Sequence, residues 1–585
     1  MLTFSFAFAV LCFIFLILFF SGLPDLRICN LPYTKSEAEP DRHKNRLAVL
    51  IITIIYSLLT FWHLGNLQSP QSFVPMESNR FQISLPKSDT FRLAIFPGVG
   101  QGEYSIEYSK DQEGWFPITS FTQDHVAVLK WQFLSLDLPS HAEYLRVICT
   151  SGAPWLGEVQ LQTATGHPLN TICTISELVD EQDCVPDSSD YMNSSYFDEI
   201  YHARTAWEHL NQIWPYEISH PPLGKEILSL GILLFGMTPF GWRFSGALTG
   251  IFMIPVMFLF LRRLFGQGRV AVMGTIIFAA GFMHYVQTRI ATIDSYAVFF
   301  ILLMYYFMLG WSRNGNTREL VFCGLCFGLG AACKWTCLYA GAGLAVIWTI
   351  YWVSSFKQNI TLTAKRFVQN ILLCIFLFVL IPVMIYYISY TPYGMARNIP
   401  IFSEDYTNMI LDNQRFMFQY HSSIVAEHPY SSRWYQWIFD IRPILYYLEY
   451  FSDGTRESIA AFVNPMICWG GFLSILVLLY CAIKRREKTA LFLLIAYFSG
   501  LIPWFFISRL TFEYHYFASA VFLVPAICYI FQLLENNSRM AKYYIFGFSA
   551  CTVILFFAFF PVLNGIPVDN DLTSRLLGWL PSWPI

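Results

Sequence analysis

Long apolar runs recur along most of this chain and constrain its fold more than any other feature. A run of about 17 to 25 apolar residues can cross the hydrocarbon core of a bilayer as an α-helix. Such runs occupy residues 2–22, 47–64, 242–264, 268–287, 294–312, 318–335, 337–356, 367–390, 459–483, 489–507, 512–533 and 543–563. Only 13% of the 585 residues are charged, whereas roughly 25% is usual in soluble domains. The sequence predicts a polytopic α-helical membrane protein with about 12 transmembrane helices.

Lys and Arg residues between these runs indicate orientation, because short basic loops concentrate on the cytoplasmic side. If the spans alternate in direction, the basic segments 42–46, 262–263, 313–318, 357–366, 484–488 and 539–542 all fall on one side. We therefore expect a multi-pass protein of the cell membrane, with both termini and the segments 65–241 and 391–458 outside the cytoplasm. The run 2–22 is interpreted as a retained helix, because it lacks a basic leading segment and a small-residue cleavage site.

Residues 70–175 break the membrane pattern. Short alternating segments such as FRLAIF, YSIEYS and YLRVICT are separated by turn-forming stretches, which predicts a small β-sandwich. Two roles stay open for it: a carbohydrate-binding or acceptor-docking module, and a structural or partner-contact domain. Cys149, Cys173 and Cys184 lie outside the predicted spans and allow a disulfide, for which Cys173 with Cys184 is the favoured pair.

The predicted organisation follows from these patterns. It comprises two N-terminal transmembrane helices (1–66), the extracytoplasmic β-sandwich insert (67–180), an extracytoplasmic loop with surface helices (181–241), transmembrane helices (242–390), an extracytoplasmic loop (391–458), C-terminal transmembrane helices (459–565) and an extracytoplasmic tail (566–585).

One polar stretch, YFDEIYHARTAWEHLNQIWPYEISHPPLGK at residues 196–225, stands out in this apolar chain. Residues 197–212 have the apolar spacing of a helix lying on a membrane surface, with Asp198 and Glu199 in its first turn. Acidic residues there also have a simple structural explanation, since they interact favourably with the helix dipole. His220 and two prolines form a rigid turn before a second helix near Lys225, which would hold the acidic pair in place.

Ionisable residues also collect where the outer ends of the spans are expected to meet. Arg243, Arg289, Asp294, Lys334, Arg509 and His515 belong to this group. A single Lys or Arg at a span end is often only a snorkelling anchor. Several on the side that the positive-inside tendency disfavours indicate an anionic ligand, and arginine is well suited to phosphate.

These residues lie in motifs that resemble those of the protein O-mannosyltransferases, glycosyltransferase family 39, which have the GT-C fold. The motifs occur in family order: FDEIYHARTAWEHL, HPPLGKEILSLGILLFG, FGWRFSGALTG, TRIATIDSYAVFF, GLCFGLGAACKWT, YHSSIVAEHPYSSRWYQW, IRPILYY and PWFFISRLTFEYHYF. The resemblance covers roughly residues 45–565 apart from the β-insert. Each motif alone is weak evidence, whereas the ordered set is strong.

The resemblance implies transfer of mannose from a polyprenyl-phosphate carrier to Ser or Thr hydroxyls of translocated proteins, with inversion. It identifies Asp198 as the general base, with Glu199 beside it. The implied donor-phosphate ligands are Arg243, Arg289 and Arg509, with Lys225 and Lys334 behind them. The expected substrate-binding residues are His220, Asp294, His421, Trp434, Trp437 and His515. For Trp434 and Trp437, a place in an interfacial aromatic belt stays an open alternative.

Two departures from the family concern the acceptor. Eukaryotic members carry a β-trefoil module before the eighth span, where this chain has a short loop; it has instead the β-insert and an extra leading helix. The alternatives are transfer of another sugar to a lipid or cell-envelope glycan, a lipid-linked-sugar flippase, and a catalytically silent binding protein. A flippase would predict midplane charges and internal repeats, and the sequence has neither.

No cofactor is implied with certainty, since the lipid-linked sugar is a substrate. A divalent metal is possible, although tight His or Cys ligand spacing is missing outside the spans; Cys323 and Cys326 lie within one. The expected partners are the polyprenyl-phosphate sugar, an acceptor protein or peptide, and membrane lipid. The net charge of −3 gives no sign of nucleic-acid binding, and the oligomeric state stays open.

Overall fold

The structure is a computed structural model that describes residues 42–584 except 78, 87–89, 358–359, 424–426 and 538. The predicted helix at 2–22 lies outside the described residues. The chain forms two compact units. The first contains residues 42–62, 209–227 and 246–584, and the second contains residues 63–208 and 228–245.

Helices dominate the described chain. They are α1 (Arg42–Phe61), α2 (Glu199–Leu210), α3 (Leu223–Phe235), α4 (Pro239–Phe265), α5 (Gly268–Ala279), α6 (Phe282–Arg289), α7 (Asp294–Asn314), α8 (Thr317–Cys333), α9 (Thr336–Phe356), α10 (Ile360–Ile375), α11 (Ile381–Ile388), α12 (Thr391–Ala396), α13 (Glu404–Ser423), α14 (Trp434–Trp437), α15 (Pro465–Lys484), α16 (Lys488–Leu501), α17 (Phe517–Ala520), α18 (Leu523–Asn537), α19 (Ala541–Asn564) and α20 (Asn570–Leu576).

Strands occupy two regions. They are β1 (Val74–Pro75), β2 (Arg80–Ser84), β3 (Thr90–Pro97), β4 (Gly102–Ser109), β5 (Phe116–Gln123), β6 (Gln132–Asp137), β7 (Tyr144–Gly152), β8 (Trp155–Thr163), β9 (Ile172–Cys173), β10 (Ile444–Tyr450), β11 (Thr455–Ala461) and β12 (Val568–Asp569).

The predicted polytopic membrane protein is confirmed. Within the described residues, 8 helices are long and apolar enough to cross a membrane, or up to 10 if two bent pairs each form one span. The bent pairs are α5 with α6, at 54°, and the segment Glu513–Ala520 with α18, at 42°. Helix α8 matches a further predicted run but has 17 residues. The count of about 12 stays a prediction.

Small residues let neighbouring helices approach closely, as is common in membranes. Gly324 and Gly328 lie one turn apart on α8 and face, respectively, the chain between α10 and α11 and the start of α11. A Cβ atom on Gly324 would lie 2.6 Å from the carbonyl oxygen of Leu377, and one on Gly328 would lie 3.0 Å from Cα of Pro382. The facing chain has a π-helical turn at Phe376–Leu380, which joins α10 to the proline-containing start of α11 without ending the helix.

The predicted β-sandwich is also confirmed, and it forms most of the second unit. One sheet has the strand order β1-β8-β3-β6 and the other β5-β4-β7-β2-β9. Alternate side chains of both sheets form one core, including Ile83, Leu93, Ile106, Val147 and Val159, all at most 2% exposed. This alternation is the pattern visible in the sequence.

The favoured disulfide is wrong, because Cys173 and Cys184 are both free thiols in the structure. Cys173 is partly buried and packs against the sandwich core as a small apolar residue, which is common for cysteine. Burial raises the pKa of the Cys173 thiol and raises that of Cys184 to about 12. Neither thiol is therefore reactive at neutral pH.

Residues 391–458 are more ordered than the predicted loop. They contain α12, α13 and α14, followed by a hairpin of β10 and β11 that β12 extends. The predicted span 459–483 begins too early, because residues up to Ala461 belong to β11. Helix α15 begins at Pro465, where the Asn464 side chain accepts a hydrogen bond from the Met466 amide, as expected of an N-cap before a first-turn proline.

Candidate active site

A cavity of about 470 Å³ lies in the first unit and gathers several of the predicted site residues. Its polar lining includes His220, His421, Lys334 and Arg509. The apolar and aromatic part of the lining consists of Pro221, Trp335, Tyr339, Phe418, Trp504, Phe506 and Ile507. Four residues predicted from four separate motifs therefore meet in one cavity.

Two cations line this cavity, and they differ in whether a carboxylate pairs with them. Lys334 caps the C-terminus of α8 and donates to Asp294 at the start of α7, with Nζ 2.7 Å from Oδ1. Arg509 donates to the Leu510 carbonyl at 3.1 Å and lies 5.9 Å from the Trp504 ring centre. Among the described residues, no carboxylate forms an ion pair with Arg509. Its guanidinium therefore keeps donors and charge for an anionic ligand.

Glu217 holds the turn that brings His220 to the cavity. Its Oε1 lies 3.1 Å from His220 Nδ1 and accepts from the Ser219 amide at 2.8 Å. Lys225 pairs with the same carboxylate and also donates to the carbonyls of Glu217 and His220, at 3.1 and 2.9 Å. The three N–H groups of this fully buried lysine are thus used inside the turn. This argues against the predicted phosphate contact of Lys225 and assigns it to the framework.

Two further histidines occupy buried positions. His515 packs 4.5 Å from the Trp504 ring, measured between ring centres, and 6.1 Å from Trp437. His209, near Lys225 and Glu217, has a pKa lowered to about 3 by burial, so its ring is neutral. His515 itself does not line the cavity, but it contacts Trp504, which does.

The predicted groove residues Trp434 and Trp437 do not share one environment. Trp437 is fully buried and donates from Nε1 to the Ser432 hydroxyl at 2.9 Å. A buried indole cannot pack on a sugar ring, which argues against both the groove and an exposed belt for Trp437. Trp434 is half-buried and stacks on Phe505 with ring centres 3.7 Å apart.

Arg243 and Glu199 form a buried ion pair in the second unit. Arg243 Nε and Nη2 donate to the two Glu199 oxygens, both at 2.7 Å. The remaining N–H groups donate to the carbonyls of Leu64, Tyr191 and Ser194 at 2.6 to 3.0 Å. An arginine has five N–H donors, and all five are engaged. This argues against the predicted phosphate contact of Arg243 and gives Glu199 a structural task.

Asp198 occupies the position before the first residue of α2. Its carbonyl accepts from the amides of Tyr201 and His202, both at 3.1 Å. The side chain is half-buried, unlike that of fully buried Glu199. The preceding residue, Phe197, has φ +49°. A bulky residue in this left-handed region is strained, and such strain often marks functional sites.

Arg289 ends α6 and is 5% exposed. Its Nε and Nη2 donate to the carbonyls of Thr60 and Trp62, at 3.1 and 2.9 Å. Both acceptors lie at or beyond the end of α1, where carbonyls lack helical partners. Arg289 does not line the cavity described above, so its predicted phosphate contact stays a prediction.

Two family models match this chain. "Dolichyl-phosphate-mannose-protein mannosyltransferase" matches residues 219–386, and "C-terminal four TMM region of protein-O-mannosyltransferase" matches residues 406–583. Polyprenol-phosphate-mannose–protein mannosyltransferases are relatives: that of Mycolicibacterium smegmatis is 27% identical over 66% of this chain and 87% of its own length. That of Corynebacterium glutamicum is 24% identical over 66% and 88%.

This chain belongs to the protein O-mannosyltransferase family. Its fold is that of the Saccharomyces cerevisiae protein O-mannosyltransferase Pmt1-Pmt2 complex bound to the sugar donor, with a TM-score of 0.58. That match has 12% identity and covers 67% of this chain and 89% of the other. The chain is therefore a membrane glycosyltransferase with the GT-C fold, as the ordered motifs predicted.

The motifs alone did not single out two residues that line the cavity, Trp504 and Phe506, or three buried acidic residues elsewhere in the first unit. Glu217 lies within the quoted polar stretch, three residues before His220, and its spacing was the available signal. Trp504 and Phe506 lie in PWFFIS just before Arg509, but aromatic residues are too common in this chain to single out. The carboxyl groups of Asp440 and Glu513, which are both fully buried and interact electrostatically, gave no sequence signal.

The sequence left a divalent metal open, and the described residues have no cluster of three candidate metal ligands at the cavity. Their one group of three close carboxylates is Glu158, Asp180 and Glu181, in the second unit. Glu181 accepts there from the Gln71 amide at 2.8 Å, and Gln182 donates to Glu158. Burial raises the pKa of Glu158 to about 8, which favours its protonated form at neutral pH. Hydrogen bonding therefore accounts for this group.

Proposed function

We propose that this glycosyltransferase moves mannose from polyprenyl-phosphate mannose to Ser or Thr hydroxyls of proteins on the extracytoplasmic side of the cell membrane. The observation that carries the proposal is the pairing, in one cavity, of Arg509 with an apolar rim. Phe418 and Phe506 are 69% and 84% exposed there. A lipid phosphate has the complementary chemistry, because its anionic group suits Arg509 and its long apolar chain suits the exposed aromatic rim.

The sidedness of the proposal rests on the course of the helices. Helix α7 begins at Asp294 and has Arg313 in its last turn, and α8 has Arg318 in its first turn and ends just before Lys334. Lys334 and Asp294 thus lie at the opposite helix ends from the basic residues Arg313 and Arg318. Because basic loops face the cytoplasm, the cavity would face the opposite side.

The proposed reaction breaks the bond between the sugar C1 and the phosphate oxygen and forms a bond from C1 to the acceptor hydroxyl oxygen. The phosphate leaves with the bonding electron pair, and Arg509 and Lys334 stabilise its charge. The hydroxyl proton passes to a carboxylate, for which we propose Asp198. Such general base catalysis contributes about 10² to 10⁴ in rate. Attack opposite the leaving group inverts C1.

The test measures transfer of radiolabel from polyprenyl-phosphate mannose in membranes that contain the wild type, Asp198→Asn or Arg509→Met. Product is divided into protease-sensitive and solvent-extractable fractions. We expect protease-sensitive label with the wild type, a loss of at least about 100-fold with Asp198→Asn, and a raised donor KM with Arg509→Met. Arg415→Met is the matched control, since Arg415 is an exposed arginine on α13.

Two results would contradict parts of this proposal. Label in the extractable fraction would replace the protein acceptor by a lipid. Equal label from the wild type and Asp198→Asn would remove Asp198 from the base role while leaving the donor assignment intact.

A further inference from the structure

Two histidines face each other in the cavity wall. Unlike the cations there, which only donate hydrogen bonds, a neutral histidine can also accept one. His220 and His421 have ring centres 5.1 Å apart in an edge-to-face arrangement. His421 also lies 6.3 Å from the ring centre of Trp335. Both histidines and Trp335 line the cavity beside Lys334 and Arg509.

The position of the His421 proton follows from its partner. His421 Nε2 lies 2.8 Å from the Ser219 carbonyl oxygen. A carbonyl oxygen can only accept, so Nε2 carries the proton. In a neutral imidazole the second nitrogen then has a lone pair. Nδ1 of His421 is buried and has no hydrogen-bond partner among the described residues.

His421 is neutral under ordinary conditions. Burial is the main cause that lowers the pKa of its imidazole to about 4, and the nearby His220, Arg509 and Lys334 contribute to the same shift. At neutral pH the ring therefore presents one acceptor nitrogen in a region otherwise rich in positive donors.

This acceptor needs a ligand that can donate. Phosphate in its ionised form only accepts hydrogen bonds, so it can satisfy Arg509 and Lys334 but not His421 Nδ1. A sugar attached to that phosphate has hydroxyl groups within a few bonds of it, and a hydroxyl can donate. A buried acceptor left without a donor costs free energy.

We propose that His421 accepts a hydrogen bond through Nδ1 from one hydroxyl of the transferred sugar and thereby selects the donor. This inference rests on the proposed function, because it takes the cavity as the site of a sugar phosphate. His421 is then a specificity-determining residue that contacts substrate, in addition to the cations that hold the phosphate.

The test compares polyprenyl-phosphate mannose with its 2-, 3-, 4- and 6-deoxy analogues as donors for the wild type, His421→Gln and His421→Phe. The glutamine keeps an amide N–H that can donate to the Ser219 carbonyl, which guards against loss of folding. We expect one deoxy donor to lower the wild-type kcat/KM about 10- to 100-fold. With the full donor, His421→Phe should lose a similar factor.

The decisive result is whether the effect of removing the sugar hydroxyl depends on the His421 substitution. If His421 binds that hydroxyl, His421→Phe will use the full donor and the discriminated deoxy donor equally well. Unchanged discrimination in both His421 variants would overturn the inference while the wild-type activity upheld the proposed function. Failure of the wild type with the full donor would instead overturn the proposed function. His141→Gln, at an exposed histidine of the sandwich, is the control.

Discussion

Single residues acquire different roles once their partners are known. Arg243 and Arg509 were equivalent in the sequence, since both are arginines at span boundaries. In the structure Arg243 has all five donors engaged, whereas Arg509 has one backbone contact. The reason is separation along the chain: Glu199 lies 44 residues before Arg243, and no local pattern shows that they meet.

Replacement of Glu199 by glutamine should destabilise the protein. The substitution leaves the Arg243 charge buried without its counter-charge, and breaking a buried ion pair typically costs about 3–5 kcal/mol. We expect a lower thermal midpoint for the purified protein in detergent, together with reduced yield. Asp198→Asn is the matched control at the neighbouring residue. Because the Asp198 side chain is only half-buried, the thermal midpoint of this variant should stay close to that of the wild type. Equal midpoints for Glu199→Gln and wild type would show that the pair contributes little.

The lengths of apolar runs predicted the elements of the membrane region well, because bilayer thickness sets span length. The runs 242–264 and 294–312 correspond to α4 and α7. Hairpin β10–β11 was missed, because its short strands lie within a segment classified as loop by the absence of a long apolar run. Alternation within TRESIAA was the available signal, and the adjoining apolar run masked it.

The contact between α8 and the facing π-helical turn depends on glycine. We expect Gly324→Ala to lower the thermal midpoint, because its Cβ would lie 2.6 Å from a backbone oxygen that cannot move independently. Overpacking of this kind typically costs about 1–3 kcal/mol. Gly547→Ala in α19 is the matched control, since nothing lies within 4 Å of its Cβ position. Equal thermal midpoints for the two variants would show that the close contact of α8 with the π-helical turn does not contribute to stability.

The carboxyl pair links the segment before β10 to the turn before α17. Asp440 Oδ1 accepts from the Val463 amide at 3.0 Å, and the buried Glu513 carboxyl nearby disfavours a second negative charge, so the pair favours holding a proton. Burial raises the pKa of Asp440 to about 7. A raised folded pKa gives stability that is present below about pH 4 and is lost as pH rises through about 7.

Asp440→Asn should therefore flatten the dependence of stability on pH. The amide can donate to Glu513 at any pH, and its oxygen can keep the Val463 contact. Thermal midpoints at pH 5 and pH 8 would test this: the variant should gain on the wild type at pH 8. A wild type that is as stable at pH 8 as at pH 5 would exclude a proton held by the pair.

For the whole molecule, the charge pattern predicts which side of the membrane each end of the helices faces. Arg262 and Arg263 lie in the last turn of α4, Arg313 lies in the last turn of α7, and Lys484 ends α15. Lys334, which lines the cavity, and its partner Asp294 lie at the opposite helix ends. Cations placed against the positive-inside tendency need a ligand or partner to offset their cost. The predicted sidedness and the predicted anionic ligand therefore depend on the same cations.

This sidedness predicts the exposure of two loops of the first unit. An epitope tag in the hairpin turn near Gly454 should bind antibody on intact cells, whereas a tag near Arg486, between α15 and α16, should bind only after permeabilisation. Both turns are exposed and polar, so insertion should be tolerated. A tag near Arg486 that is accessible on intact cells would reverse the orientation. The cavity would then face the cytoplasm, and translocated proteins could no longer be the acceptors.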